Sequence, residues 1–238
     1  MPKYEEIANI LRERIQDRTY LPDQLLPNQT DLVEEFNASR TTIKKAINIL
    51  TMEGLVFSQR GAGTKVLNHP FLDRNMSFLS DYRGLTHDFE NSGHKLVSEA
   101  LAFEVEFPDE KIQERLMLAP SQPVYKIIRL RRLDNKPFIL EHTYMPVDLV
   151  PGLTEYHIEH SIYQHVKQEL GLKFAGAYRT ISADRSSEFD QKHLECSEND
   201  PVLEIKQIVY LKDGRPVEYS RSRNRFDVRS YSYLDIQA

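Results

Sequence analysis

Two groups of cationic residues in this 238-residue chain have the type and spacing to bind anions. The first is Arg129 and Arg131, inside the run PVYKIIRLRRLDNKPFILEHTYMP of residues 123–146. Alternate side chains on a strand share a face, so these two guanidiniums point one way and Arg132 the other. Two arginines on one face of an apolar sheet need a negative partner. Glu141, on the next run, is either that partner or an acceptor for ligand hydroxyls, because cross-strand register is not readable here. An Arg–Glu network without a ligand is the structural alternative. The second group is Arg40, Thr41, Lys44, Lys45 and Asn48. These face outward when Ile43, Ala46, Ile47 and Leu50 turn inward on a helix. The planar fork of Arg40 fits guanine O6 and N7 together, or a phosphate. Thr41 and Thr42 are short and polar, suited to a phosphate or a thymine methyl, and the lysines supply charge.

Other residues invite chemistry less strongly. His157, His160 and His165 cluster before and inside an expected helix, but no carboxylate or cysteine set completes a metal site, and none is expected. Arg221, Arg223, Arg225 and Arg229 alternate like the outer face of a strand, with a second anion contact as the other reading. Tyr125, Tyr144, Tyr178, Tyr210 and Tyr219 read as sheet packing. Cys196 is the lone cysteine, which excludes an internal disulfide and reads as a small buried side chain. No Ser-His-Asp order, nucleotide loop or metal motif is present, so an enzyme is not expected.

The elements that must carry these groups follow from periodicity and breakers. Tyr4, Ile7, Ala8, Leu11 and Ile15 mark one face of a first helix. TYLPDQLLPNQ, residues 19–29, reads as a turn. Asn28 caps a second helix that buries Leu32, Val33 and Phe36. Ser39 caps a third, ended by Gly54. Strands Leu55–Ser58 and Thr64–Leu67 then flank Gln59-Arg60-Gly61-Ala62-Gly63, where glycine permits close approach at the tip. The order is that of a winged helix-turn-helix. Residues 68–76 read as a linker. Beyond it, helices are expected near 84–92, 108–115, 161–169 and 187–194. Extended runs are expected at 95–107, 122–133, 137–146, 174–185, 201–211 and 215–226, with a last strand near 230–235. Asp134-Asn135-Lys136-Pro137 and Lys212-Asp213-Gly214-Arg215-Pro216 read as hairpin turns, and the two hairpins share a pattern that hints at a pseudo-repeat. The fold class is α+β.

Net charge is −5, with 40% hydrophobic and 28% charged residues. An acidic total disfavours nucleic acid only if charge is spread evenly. Residues 1–67 hold nine basic and nine acidic residues, but 40–65 hold five basic and one acidic. A binding surface needs a positive face, not a positive protein. No apolar run spans a bilayer and the charged N-terminus is no signal peptide, so a cytoplasmic location is expected.

The stretch from Tyr4 to Val66 resembles the winged-helix domain of the GntR family. The matching residues are Tyr4, Ile7, Ile15, Tyr20, Pro22, Leu26-Pro27, Leu32, Phe36, Ser39-Arg40-Thr41-Thr42, Ala46, Leu50, Gly54-Leu55-Val56 and Gly61-Ala62-Gly63-Thr64. The resemblance implies DNA contacts at Arg40, Thr41, Thr42 and Gly61, and Thr30, Ser39, Lys44, Lys45 and Arg60 are the other residues expected at the DNA. Thr30 and Lys44 replace arginines common in the family, so the resemblance implies DNA binding without implying the family's usual base sequence. Residues 76–238 resemble the UTRA domain of the HutC-type branch, whose fold is similar to chorismate lyase. The matches are Gly93, Arg129-Leu130-Arg131, Pro137, Glu141, Tyr144, Pro146, Ser161-Ile162-Tyr163, Glu218-Tyr219 and Arg225-Phe226-Asp227.

The resemblance implies that Arg129, Arg131 and Ser161 hold an anion. Glu141 and Glu218 would bond sugar hydroxyls, and Gly84 and Thr86 would close the site. The expected division is a DNA-binding domain over 1–67, a linker over 68–76 and an effector-binding domain over 77–238. The expected function is transcription repression of a carbohydrate-uptake or catabolic operon. A homodimer on pseudo-palindromic double-stranded DNA would be released by a small anion, most simply a sugar phosphate. A carboxylate or phosphonate effector is the alternative, and an enzyme of chorismate-lyase-like fold is the lesser one. No cofactor or membrane partner is expected.

Overall fold

A computed structural model describes residues 2–59, 61–68, 77–78, 86, 89, 93–229 and 231–232. The chain forms two compact units, one within Met1–Met76 and one spanning Ser77–Tyr231. Each is taken by itself.

The first unit is α1 (Lys3–Gln16), α2 (Gln29–Glu35), α3 (Arg40–Met52), β1 (Val56–Gln59) and β2 (Gly63–Val66). Local signals set the helix ends. Asn28 and Asp31 form a capping box on α2. Ser39 Oγ accepts the Thr42 N–H at 3.1 Å at the start of α3. Leu55 N–H reaches Leu50 C=O at 2.9 Å across Gly54, which has φ +68°, so α3 closes in a Schellman turn. Ile7, Leu11, Leu32, Ile43, Leu50 and Leu55 are the largest wholly buried side chains of its core.

The stretch 19–29 is more than a turn. Leu26 N–H bonds Thr64 C=O at 2.8 Å, Asp23 N–H bonds Val66 C=O at 2.9 Å, and Leu25 bridges Lys65. Pro22 and Pro27 bracket this edge and keep it too short for a full strand.

The second unit is a six-stranded antiparallel sheet with helices on both faces. Its elements are β3 (Leu96–Glu106), α4 (Glu110–Leu116), β4 (Val124–Leu133), β5 (Lys136–Pro146), α5 (Glu155–Glu159), α6 (Ile162–Gln164), β6 (Phe174–Arg185), α7 (Glu188–Leu194), β7 (Pro201–Leu211) and β8 (Pro216–Arg225). The strand order is β3-β4-β5-β8-β7-β6. Asp134 and Asn135 both take positive φ in the β4–β5 hairpin, as a type I′ turn requires. A short strand at Tyr231–Ser232 falls within the last stretch expected to be extended.

The expected pseudo-repeat goes beyond the two hairpins. Strand, helix and hairpin recur in the same order in both halves, and β5 meets β8 at the middle. Pro137 and Pro216 are 79 residues apart, and so are His142 and Arg221, which sit opposite each other in the β5–β8 register. Helices α4 and α7 both span seven residues and both end in a left-handed residue, Met117 and Glu195. They cover one face of the sheet, through Ile112 and Leu116 on Val124 and Ile208, and Leu194 on Leu130 and Leu140. Ile158 in α5, Ile162 in α6 and Val166 cover the other, over Tyr125, Ile127, Met145 and Val209.

Two details depart from expectation. The helix expected over 161–169 is three residues of α-helix, α6, followed by a π-helical turn over His165–Glu169. The short helix α5 was not anticipated, since five residues carry too little period. Among the described residues no helix is long and apolar enough to cross a membrane.

Candidate functional sites

In the first unit the outward face of α3 carries the positive charge. Arg40, Thr41, Lys44 and Lys45 are exposed. Three other basic residues of the unit already have acidic partners. Arg12 pairs with Glu53 at 2.5 Å, Arg14 with Glu35 at 2.5 Å and Lys65 with Asp23 at 2.7 Å. Among the described residues Arg40 and Lys44 make no ion pair, so α3 concentrates the unspent charge. Lys45 is less free, because its ammonium lies 5.5 Å from the Tyr4 ring centroid.

Ser39 and Thr42 bond each other through their hydroxyls at 2.8 Å, which commits Ser39 to capping. Thr30 is exposed, and its N–H meets the Asn28 cap at 2.8 Å. Gly61 is exposed with φ +84° and nothing within 4 Å of a built Cβ, so conformation and not space calls for glycine. Arg60 lies outside the described residues.

In the second unit the register settles what the sequence left open. Arg129 sits directly opposite Glu141, with Nη2 2.6 Å and Nε 2.8 Å from Oε2. Arg131 Nε reaches the same oxygen at 3.2 Å. Arg129 Nη1 also donates to the Ile158 carbonyl of α5 at 2.9 Å. Both guanidiniums are buried, at 7% and 4% exposure, against one carboxylate. Burial and the like charge of Arg129 pull Arg131 down to about 10. Burial would raise Glu141, but Arg129 and Arg131 outweigh it and hold the carboxyl at about 2. Arg132 points to the opposite face, near Glu99 and Glu195 at 3.9 and 3.7 Å.

Thr86 joins this group. Its Oγ1 lies 3.5 Å from Arg131 Nη1 and donates to the His160 carbonyl at 3.1 Å. Ser161 follows His160 and caps α6, accepting the Gln164 N–H at 3.2 Å. Gly84 lies outside the described residues. Glu218 shares the sheet face but belongs to another network. Its Oε1 accepts from Gln207 at 2.9 Å and Ser220 at 2.6 Å, and Arg179 holds Gln207 at 2.9 Å. Burial and the adjacent Glu218 push the Tyr163 phenol well above its ordinary value. The Ile158 carbonyl, Gln207 and Ser220 carried no sequence signal, since only the tertiary fold brings them to this face, and Tyr163 entered only through the family resemblance.

Two side readings change. Arg223 is no outer strand face. It is 3% exposed, with Asp190 at 2.8 Å, Glu204 at 2.6 Å and Asp184 at 2.8 Å, beneath α7. The histidine cluster does have a carboxylate: His157, His165 and Glu169 place ligand atoms within 4.8 Å of one another. Their hydrogen bonds do not suit a metal. Thr154 N–H donates to His157 Nδ1 at 3.0 Å, so Nε2 carries that ring's proton and faces Glu169. His165 sets Nε2 3.0 Å from the Pro151 carbonyl and Nδ1 2.9 Å from Glu169. The hydrogen bond from His165 keeps the Glu169 carboxyl below its usual value. The group braces α5 against the π-helical turn. Tyr125 stacks on Phe103 and Tyr144 on Tyr219, as packing residues do.

Residues 3–66 match the gntR family of bacterial regulatory proteins and residues 91–228 match the UTRA domain. The HTH-type transcriptional regulator GmuR of Bacillus subtilis (strain 168) is 41% identical over 228 residues, 95% of each chain. The mannosyl-D-glycerate transport/metabolism system repressor MngR of Escherichia coli (strain K12) is 31% identical over 235 residues, 99% of this chain and 95% of that one. The crystal structure of the possible transcriptional regulator YydK from Bacillus subtilis subsp. subtilis str. 168 superposes with a TM-score of 0.78 at 25% identity, covering both chains fully.

Proposed function

The chain belongs to the GntR family of bacterial regulatory proteins, in its UTRA-bearing HutC-type branch, and from that premise we propose that it is a repressor released from its operator by a small anion. Family membership makes it a DNA-binding transcription regulator and not an enzyme. The observation that carries the anion is the buried pair Arg129 and Arg131 sharing one carboxylate oxygen. One carboxylate leaves a buried positive excess, which a ligand anion would offset.

A sugar phosphate suits this arrangement best. The arginines take the phosphate, Thr86 closes beside Arg131, and Ser161 lies next to the carbonyl that Thr86 bonds. Glu141 and Glu218 line the same face as acceptors for hydroxyls. MngR is named as the repressor of a mannosyl-D-glycerate transport/metabolism system, which supports carbohydrate genes as the target. On DNA, Arg40, Thr41, Thr42, Lys44 and Lys45 enter the major groove, with Thr30 and Ser39 beside them and Arg60-Gly61 at the wing tip. A homodimer on a pseudo-palindrome presents two such helices.

The test uses duplexes selected from a random library by the full chain, then a thermal-shift screen of sugar phosphates against the matching free sugars. One phosphate should stabilise the chain and weaken operator binding by about 5–150-fold. Arg131→Ala should keep operator affinity and lose that response. A response to the free sugar alone, or a response that survives in Arg131→Ala, would refute the assignment of the arginines. A response confined to carboxylates or phosphonates would replace the sugar phosphate.

A further inference from the structure

Arg229 follows the last strand of the six-stranded sheet, just beyond the Arg225–Asp227 ion pair at 2.7 Å. Its guanidinium carbon is 5.7 Å from the Phe138 ring centroid, and its Nη1 is 3.4 Å from Asn224 Oδ1. Both contacts bring it to the arginine pair. Asn224 sits opposite Ile139 in the β5–β8 register, and Ile139 sits opposite Arg131 in the β4–β5 register. Arg131, Ile139 and Asn224 thus form one row across one face of the sheet, and a register shift between Arg131 and Arg132 bulges β5 at Phe138, which packs in one cluster with Ile139 and not on the opposite face. The charge of Arg229 is felt at both members of the site, depressing Arg131 further and helping to hold Glu141 low. Glu141 is held directly by two guanidiniums and lies within the field of a third.

We propose that Arg229 is a third cationic arm of the effector site, and that it biases the site toward a dianionic head group, a phosphate monoester, over a single carboxylate. This inference rests on reading Arg129 and Arg131 as an anion site. A carboxylate brings one charge and two oxygens, which one guanidinium fork can saturate. A phosphate monoester brings about −1.5 to −2 at neutral pH and three acceptor oxygens, enough for a third donor from another direction. Arginine suits the position because its plane can rest on Phe138 while its edge N–H groups face the ligand. Stacking also removes part of its water before the anion arrives, so less hydration is lost on binding.

The experiment is calorimetric titration of the full chain with inorganic phosphate, and with acetate as a monoanion, across the pH range in which phosphate gains its second charge. Wild type should prefer phosphate, and the preference should grow as that charge appears. Arg229→Gln should lose about tenfold or more in phosphate affinity and most of the pH dependence. Acetate binding should change by less than about twofold. Arg229→Lys should recover part of the loss. Arg229→Met keeps bulk against Phe138 and offers the same reading if the glutamine variant fails to fold.

A structural role alone would lower the melting temperature but leave the phosphate-to-acetate ratio intact. That unchanged ratio, with Arg131→Ala still abolishing phosphate binding, would overturn the role of Arg229 and leave the arginine pair standing. Wild type that binds neither anion would sink the anion site itself, and this inference with it.

Discussion

Glu141 receives Arg129 at 2.6 Å and Arg131 at 3.2 Å on one oxygen. Removing its charge leaves two buried guanidiniums without a counter-ion. Glu141→Gln should therefore destabilise the chain by about 3–5 kcal/mol. If the arginines hold an anion, millimolar phosphate should restore part of that loss, as read from urea midpoints with and without phosphate. The pH dependence has a definite sign. The folded carboxyl, at about 2, lies below its unfolded value, so the stabilisation is complete at neutral pH and is lost as pH falls through the carboxylate range toward 2. The gap between wild type and Glu141→Gln should close on acidification. Gly61 makes a second case at this scale. With φ +84° and open space around it, Gly61→Ala should cost about 1 kcal/mol of strain, and Gly61→Asn less.

Among the elements, α4 and α7 sit at equivalent places in the two halves but are held differently. Helix α4 rests on apolar packing of Ile112 and Leu116. Helix α7 adds a buried ion network, Asp190 on Arg223, with Glu204 and Asp184 completing it. Burial works against these charges, yet Asp190, Asp184 and Glu204 together keep the Arg223 pKa above its ordinary value. Arg223→Leu would strand Asp190, which is 1% exposed, and leave Glu204 to Lys206 and Arg221. A loss of about 3–5 kcal/mol is expected, with amide exchange accelerating first in Glu188–Leu194. Exchange that rises evenly over the whole sheet would show that the network does not specifically pin α7.

At the scale of the molecule, the proposed function divides the work between the two units, charge read by DNA in one and charge read by a ligand in the other. The positive face of α3 should reveal itself in salt dependence. Lys44 has no ion pair among the described residues, whereas Lys65 is held by Asp23 at 2.7 Å. Lys44→Ala should reduce the slope of log affinity against log salt by about 0.9, the value for one lost phosphate contact. Lys65→Ala should leave it nearly unchanged. Equal effects from the two lysines, measured by fluorescence anisotropy on a selected duplex, would contradict this placement of the DNA face.

The sequence alone determined what local physics governs. Apolar periodicity located α1, α3 and the long strands. The Asn28 and Ser39 caps, Gly54 and the Asp134-Asn135 turn marked where elements begin and end. Alternation along β4 was enough to put Arg129 and Arg131 on one face and Arg132 on the other. Only the tertiary structure decided register and strand order, because those are set by contacts between residues far apart in the chain. It chose Glu141 as the arginines' direct partner, gave Glu218 a separate network, and placed Glu169 between two histidines. It also laid residues 23–26 along β2 and brought Arg229 to the row of Arg131, although 98 positions separate those arginines. No periodicity encodes such a meeting, since a side chain's neighbours across a sheet depend on how every intervening strand is paired.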